Sequence, residues 1–363
     1  MTNAVHPKPI DWDYLLDKIR DKECLVILGP EVFADASGET TQARLLQALD
    51  PDNNPHVRRY YKDEDFFLFD HKSHRTQFCH QIKRFYRAER PGELVRKLAD
   101  IPFHIYLTIT PDLLLPESFR EKNFQFQHGY YKKDTDPQAI KLPSAENPLI
   151  YNLFGCIENE ESLVLSHDDL YDYFKSIFTR RSMPGELKDE LREIRNMLFI
   201  GVPFDKWHLQ ILLRELEIHN QQYAFTRFAA NQNLSTEIST LCFEQFQIQF
   251  IDKNVDEFVR ELHRRVEADP GIKFRESAVN QSDIPSSVKR LITSGETVAA
   301  LELLNDQFDG SLYQQDIDML NGRYSRFKKR RLAGVLNVEE IILEENRINS
   351  ELLELVQKLS LQA

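Results

Sequence analysis

The chain has 363 residues, 41% of them hydrophobic and 29% charged. That suffices for one large or two ordinary domains and argues against disorder. Its net charge of −12 disfavours nonspecific binding to nucleic acid or an anionic membrane, since both need a cationic surface. No run approaches the ~18 consecutive apolar residues of a bilayer span, and the first residues lack an apolar leader core. The four cysteines, Cys24, Cys79, Cys156 and Cys242, stand far apart and form no paired metal-ligand spacing. The expectation is a cytoplasmic, reduced protein with no metal and no membrane contact.

An amphipathic helix is predicted from Trp12 to Ile19, leading into an apolar strand, Cys24 to Leu28, that ends at Gly29-Pro30. Phe66 to Arg87 reads as helical, with Phe78, Ile82, Phe85 and Tyr86 as its apolar positions. Buried strands are predicted at His104 to Thr108 and Leu149 to Leu153. Ser166 is the expected N-cap of a helix whose stripe holds Leu170, Tyr173, Phe174 and Ile177. Met197 to Gly201 is the strongest strand, followed by a helix from Trp207 to Leu216. Two further strand–helix pairs follow: Tyr223 to Phe228 with Thr236 to Phe246, and Gln247 to Ile251 with Asp256 to Val266. Buried strands alternating with helices predict a doubly wound, Rossmann-like α/β domain with a parallel sheet over residues 1–270.

The pattern changes after Asp269-Pro270-Gly271. Residues 271–285 lack periodicity and read as a linker. Everything beyond is helical, predicting a small all-α bundle over 286–363. Two short helices, Ser287 to Thr293 and Thr297 to Phe308, precede a longer one opened by a capping-box spacing at Ser311. Its stripe is Ile317, Leu320, Tyr324 and Phe327. Asn337 caps the last helix, where Val338, Ile341, Ile342, Ile348, Leu352, Leu355, Val356 and Leu359 recur at three- and four-residue steps.

Several polar clusters compete as sites. His71, His74, Cys79 and His80 offer three imidazoles and a thiol, but a metal needs three convergent ligands, and a solvated, partly helical insertion explains them as well. His167 and His208 read as surface or supporting groups. Asp168-Asp169 reads as charge favouring a helix N-terminus. The run Arg323, Arg326, Lys328, Lys329, Arg330 and Arg331 reads as a solvated face or a surface for an acidic partner, ahead of nucleic acid.

Four segments, in order, resemble the sirtuin-like NAD-consuming domain family. Leu25-Val26-Ile27-Leu28-Gly29-Pro30-Glu31-Val32 is similar to that family's first strand and Gly-Ala-Gly turn, with Pro30 and Glu31 replacing Ala and Gly. Proline removes an amide donor, and Glu31 puts a carboxylate where phosphates would lie. Tyr106-Leu107-Thr108-Ile109-Thr110-Pro111-Asp112 resembles the Thr-Thr-Asn-x-Asp turn, with Thr110 at the Asn position and Asp112 retained. Pro148 to Ile157 resembles the strand before the catalytic Leu-His-Gly, with Phe154 where the family has its histidine base and Gly155 following. Phe199-Ile200-Gly201-Val202-Pro203-Phe204 resembles the "Phe-Ile-Gly-x-Ser-Phe" turn, with Pro203 at the Ser position.

The resemblance implies a nucleotide cleft at Gly29, Pro30, Glu31, Thr108, Thr110, Asp112, Gly155 and Gly201, for NAD or an ADP-ribose-like ligand. Phenylalanine can neither take nor give a proton, and losing a general base costs ~100-fold or more in rate. No cofactor is therefore certain, and a pseudoenzyme is expected. The alternatives are an active NAD glycohydrolase and a regulator that binds a nucleotide without turnover.

The C-terminal segments Leu301-Glu302-Leu303-Leu304, Leu320 to Phe327, Arg331 to Leu336, Glu344 to Asn349 and Leu352 to Leu355 resemble bacterial effector-associated adaptor domains. That resemblance implies homotypic pairing with a protein, encoded nearby, that carries a matching module. Tyr324, Phe327, Arg330, Arg331, Ile348 and Leu352 are the expected partner-binding residues, and a second copy of the chain is a further candidate partner. The chain as a whole is expected to be an inactive sirtuin-like scaffold or sensor of an antiviral conflict system.

Overall fold

A computed structural model describes residues 10–35, 37–133, 139–178, 183–194, 196–216, 226–231, 234–277, 288–289, 291–292, 297–308, 314–332, 335 and 338–360. The chain divides into two compact units, Met1–Ser277 and Ala278–Ala363.

The first unit is built on strands β1 (Cys24–Leu28), β4 (Ile105–Thr108), β5 (Gln127–Tyr130), β6 (Leu149–Asn152), β7 (Asn196–Ile200), β8 (Thr226–Ala230) and β9 (Ile248–Phe250), with β2 (Arg59–Tyr61) and β3 (Phe66–Leu68) in a separate hairpin. The seven strands form one sheet in the order β5-β6-β4-β1-β7-β8-β9, and every neighbouring pair in it is parallel. Both faces are covered. In β1, Cys24, Val26 and Leu28 pack against the helices Trp12–Arg20, Glu93–Asp100 and Val255–Ala268, while Leu25 and Ile27 face the opposite core with Leu170, Leu187 and Leu212. This two-residue alternation on a strand buried on both sides is why the segment reads as a continuous apolar run.

The sequence expectation of helix from Phe66 is corrected. Phe66 to Leu68 pair antiparallel with Arg59 to Tyr61, and the helix starts only at Lys72 and runs to Ala88. Asp65 has φ +60°, which closes the hairpin. Phe66 and Phe67 alternate, Phe66 toward the sheet core and Phe67 toward Phe78 and Ile82 of the following helix. Strand periodicity wins over the aromatic spacing that resembled a helix. Strand β5 was not foreseen either, because Gln127-His128-Gly129-Tyr130 is a polar edge strand without an apolar run.

Residues 271–277, expected as linker, are packed on the first unit. Ile272 is buried, and Arg275 is 8% exposed. The Arg275 guanidinium donates to the carbonyls of Ala99 (3.2 Å), Ile101 (3.1 Å) and Phe103 (2.9 Å) and to the Tyr106 hydroxyl (3.2 Å). Its plane lies over the Phe119 ring at 5.0 Å. One cation thus donates to several buried loop carbonyls at once.

In the second unit, helices span Thr297–Phe308, Gln314–Leu332 and Val338–Ser360, and Val288, Lys289, Leu291 and Ile292 are also helical. Ser311 and Asn337, the expected caps, lie outside the described residues, as does Tyr223. The core of this unit includes Ile317, Leu320, Phe327, Ile348, Leu352 and Val356. Arg323 binds Glu351 at 2.5 Å and Glu344 at 3.5 Å.

The turns after β1 and β7 meet backbone to backbone. Gly29 N–H donates to Ile200 O (2.8 Å), and Gly201 N–H donates to Ala230 O (2.8 Å). A Cβ on Gly29 would lie 2.0 Å from the Gly201 carbonyl oxygen, and one on Gly201 would lie 2.6 Å from Glu31 Cβ. Gly201 also has φ +66°. Gly29→Ala should therefore cost about 3 kcal/mol through forced backbone movement. Gly185→Ala, with nothing near its added Cβ, should be neutral or stabilising by about 0.5 kcal/mol. Urea unfolding of the two variants side by side measures the contrast.

Candidate functional site

In the sheet order, β1 leads outward to β4 on one side, while β7 leads outward to β8 on the other. Adjacent strands whose connections diverge leave a crevice beyond their carboxyl ends, the usual ligand position in doubly wound sheets. A cavity of about 360 Å³ lies there. The strand ends supply Pro30 after β1, Ile109, Thr110 and Pro111 after β4, Phe154 after β6, and Pro203, Lys206 and His208 after β7. The hairpin contributes Glu64, Asp65, Phe66 and Phe67. The helix Thr41–Leu49 contributes Gln42, Ala43, Leu45 and Leu46, and the helix Lys72–Ala88 contributes Ile82 and Tyr86.

Of the nucleotide-cleft residues expected from the sequence, Pro30 and Thr110 stand on this cavity wall, as does Phe154, the residue at the family's histidine position. The others do not line it. Gly29 and Gly201 are consumed by their contact with each other, and Glu31 lies against that contact. Gly155, at φ +88°, faces the Ser162 carbonyl, where a Cβ would sit 2.0 Å from the oxygen. At Gly29, Gly155 and Gly201 the place of a side chain is taken by the protein's own chain.

Behind the wall lies a buried polar network. Thr108 Oγ1 accepts from Thr110 N–H (3.1 Å) and lies 2.9 Å from Thr110 Oγ1. Asn152 Nδ2 donates to the carbonyls of Thr110 (2.8 Å) and Asp112 (3.0 Å), and its Oδ1 lies 2.8 Å from His128 Nε2. Asp112 is 3% exposed and accepts from Leu114 N–H at 2.9 Å. Burial pushes its pKa up to about 6, against the lowering effect of the Leu114 and Thr110 hydrogen bonds. Asn152 was missed from the sequence. The available signal was an amide closing an otherwise apolar strand just before the Phe154-Gly155 turn.

His208, expected as a surface or supporting group, instead lines the cavity beside Phe66 (5.2 Å between ring centroids) and Phe154 (5.9 Å). Burial pulls its pKa down to about 4, and its Nδ1 is buried without a hydrogen-bond partner. His167 Nε2 meets Glu64 at 2.5 Å, holding that carboxylate below its usual range. Lys206 binds Asp65 (3.0 Å) and donates to Asp63 O (2.7 Å). Asp169 completes a reciprocal cap with Ser166, as expected from the sequence: Ser166 Oγ accepts from Asp169 N–H at 3.1 Å, and Asp169 accepts from Ser166 N–H at 3.1 Å.

The proposed metal ligands do not converge among the described residues. Cys79 is buried, and His80 faces Glu160 at 3.2 Å.

The SIR2-like domain family matches residues 105–251, and the Effector-associated domain 11 family matches residues 283–360. Along the chain, a segment similar to SIR2-like domains is thus followed by one similar to effector-associated domains. No curated protein matches it. The SIR2-like match spans β4 to β9 and so includes Thr110, Asp112, Phe154 and Gly201, while the Gly29 turn precedes it. A SIR2-like domain beside an effector-associated domain fits an effector system, and among the described residues no helix is long and apolar enough to cross a membrane.

In the effector-associated domain, three of the expected partner residues are corrected. Ile348 and Leu352 are fully buried and Phe327 is 4% exposed, all within the domain's own core. The apolar stripe was legible, but most of it closes the domain on itself. Arg330 and Arg331 are exposed and Tyr324 is half-buried. Among the described residues, its exposed large apolar side chains are Val298, Met319, Val335 and Leu343.

The raised pKa of Asp112 has a defined consequence. A carboxyl whose folded pKa exceeds its unfolded value of ~3.9 loses stability as pH rises from about 4 through about 6. Below that window both states are protonated and nothing is lost. Asp112→Asn should match the parent near pH 3 and exceed it by about 3 kcal/mol above pH 7. Chemical denaturation at the two pH values reads this directly.

Proposed function

We propose that the SIR2-like domain does not turn over NAD and acts as a scaffold or sensor within a cytoplasmic antiviral effector system, recruiting its partner through the effector-associated domain. The observation that carries this reading is Phe154. It stands on the cavity wall at the position where the family's resemblance implies a histidine base, packed on Tyr173 (5.0 Å) and His208. The retained Asp112 and the nearby Asn152 are engaged in the buried network behind the wall. Pro30 lacks the amide a diphosphate would use. The partner of the second unit is taken to be a protein with a matching module, docking on exposed groups such as Arg330, Arg331, Met319 and Leu343.

A second reading, NAD glycohydrolysis, has His208 in its favour, since it brings an imidazole to the same cavity. With a pKa of about 4 it lies some three units below neutral pH, far from the value at which a general base is efficient. Full-length protein incubated with NAD, alone and with a co-expressed neighbour carrying a matching module, should release no nicotinamide above the buffer control. Phe154→His alone should not restore release, because the diphosphate contacts remain absent. Release that disappears in Asp112→Ala or His208→Ala would refute the pseudoenzyme reading.

A further inference from the structure

In the helix Gln314–Leu332, the core side belongs to Ile317, Leu320 and Phe327, all buried. Met319, Gly322, Arg326 and Lys329 recur at three- and four-residue steps on the side away from them, with Asp318 one turn before Gly322. Met319 is 66% exposed, and Asp318, Arg326 and Lys329 are exposed as well. Gly322 stands near the middle of this helix, where glycine is a poorer helix former than alanine. The module's own packing does not require it, since a Cβ added there would meet nothing within 4 Å. An interior helical glycine facing open space lets a second backbone approach closely.

Charge is divided along the same helix. Asp316 and Asp318 stand in its first turns, and Arg326, Lys329 and Arg330 in its last ones. Among the described residues, no hydrogen bond or ion pair engages the side chains of Asp316, Arg326, Lys329 or Arg330, unlike Arg323, which is held by Glu344 and Glu351. A groove of about 670 Å³ lies between this helix and Val338–Ser360, and Met319, Gly322, Arg326 and Arg330 line it. The pattern is self-complementary. Asp318 and Arg326 are equally far from Gly322 on either side. Two copies laid antiparallel, with Gly322 on the two-fold axis, therefore set each Asp318 opposite the other copy's Arg326, and the helix dipoles oppose as well. Parallel pairing would set like charges against each other. We propose that a second copy of this chain docks on this face, the two helices crossing antiparallel at Gly322 with Met319 packing beside the crossing. This contact deepens the recruitment reading, on which it rests, by giving the module a partner and a face.

Analytical ultracentrifugation of the full-length protein from about 1 to about 200 µM, the range of contacts smaller than a standard interface, tests this. A monomer–dimer equilibrium that weakens with added salt is expected. Arg326→Asp and Asp318→Arg should each weaken the dimer about tenfold or more, by setting like charges opposite each other. Mixing the two variants should restore association, because every aspartate then meets an arginine again. Gly322→Leu, whose added Cβ enters open space, should keep a cooperative melt at an equal or higher midpoint and weaken the dimer about tenfold or more. A monomer over the whole range, a dimer untouched by either charge reversal, a mixture that stays monomeric, or full association of a folded Gly322→Leu protein would each overturn the proposal. Capture of a co-expressed neighbour carrying a matching module is scored separately. Capture by a protein that stays monomeric refutes this contact and leaves the recruitment reading intact, whereas a dimer that captures no such neighbour refutes that recruitment alone.

Discussion

The close approach of two glycine turns, Gly29 after the central strand and Gly201 after its neighbour, governs the geometry of the candidate site. Their backbones pass where side chains would collide, and each continues the sheet's hydrogen bonding by one residue beyond the strand end. This contact locks β1, β7 and β8 together at their carboxyl ends. The cavity beyond these turns is lined in part by the hairpin's aromatic and acidic residues. One packing constraint thus shapes both the stability of the sheet and the chemistry of its crevice.

Around that cavity, the polar groups divide into two sets. Asp112, Asn152, Thr108, Thr110 and His128 form a network behind the wall, where each is committed to backbone or side-chain partners. Such a network fixes the turns after β4 and β6 and pays a penalty in ionising Asp112. His208, Glu64, Asp65 and Lys206 stand on the cavity itself, and three of the four are tied to one another or to the neighbouring His167 and Asp63. On the reading proposed above, a domain that keeps this fold serves as a sensor or scaffold, and the effector-associated domain recruits its partner.

The effector-associated domain makes the same point about apolar stripes. Its last helix presents a long hydrophobic repeat, yet Ile348, Leu352, Leu355 and Val356 are spent on the internal core. Among the described residues, those outside include Val298, Met319, Val335 and Leu343 and the basic end of the helix Gln314–Leu332. A small domain has too little surface to bury for its stripe to be shared freely between core and partner.

The amino-acid sequence alone determined the alternation of buried strands and helices, the change to an all-helical C-terminus, and the substitution of Phe154 in a family-like turn. These are local signals: apolar runs, two- and four-residue periodicity, and turn residues at strand ends. Only the tertiary structure decided what those turns touch. The fold brings the backbones of Gly29 and Gly201 into contact, and Phe66-Phe67 look helical until the hairpin pairs them with Arg59 to Tyr61. His208 reads as peripheral until the β7 turn brings it beside Phe154, over fifty residues away in the chain. Local sequence encodes the backbone's preferences. Which side chains share a cavity depends on contacts between distant segments, and no periodicity records those.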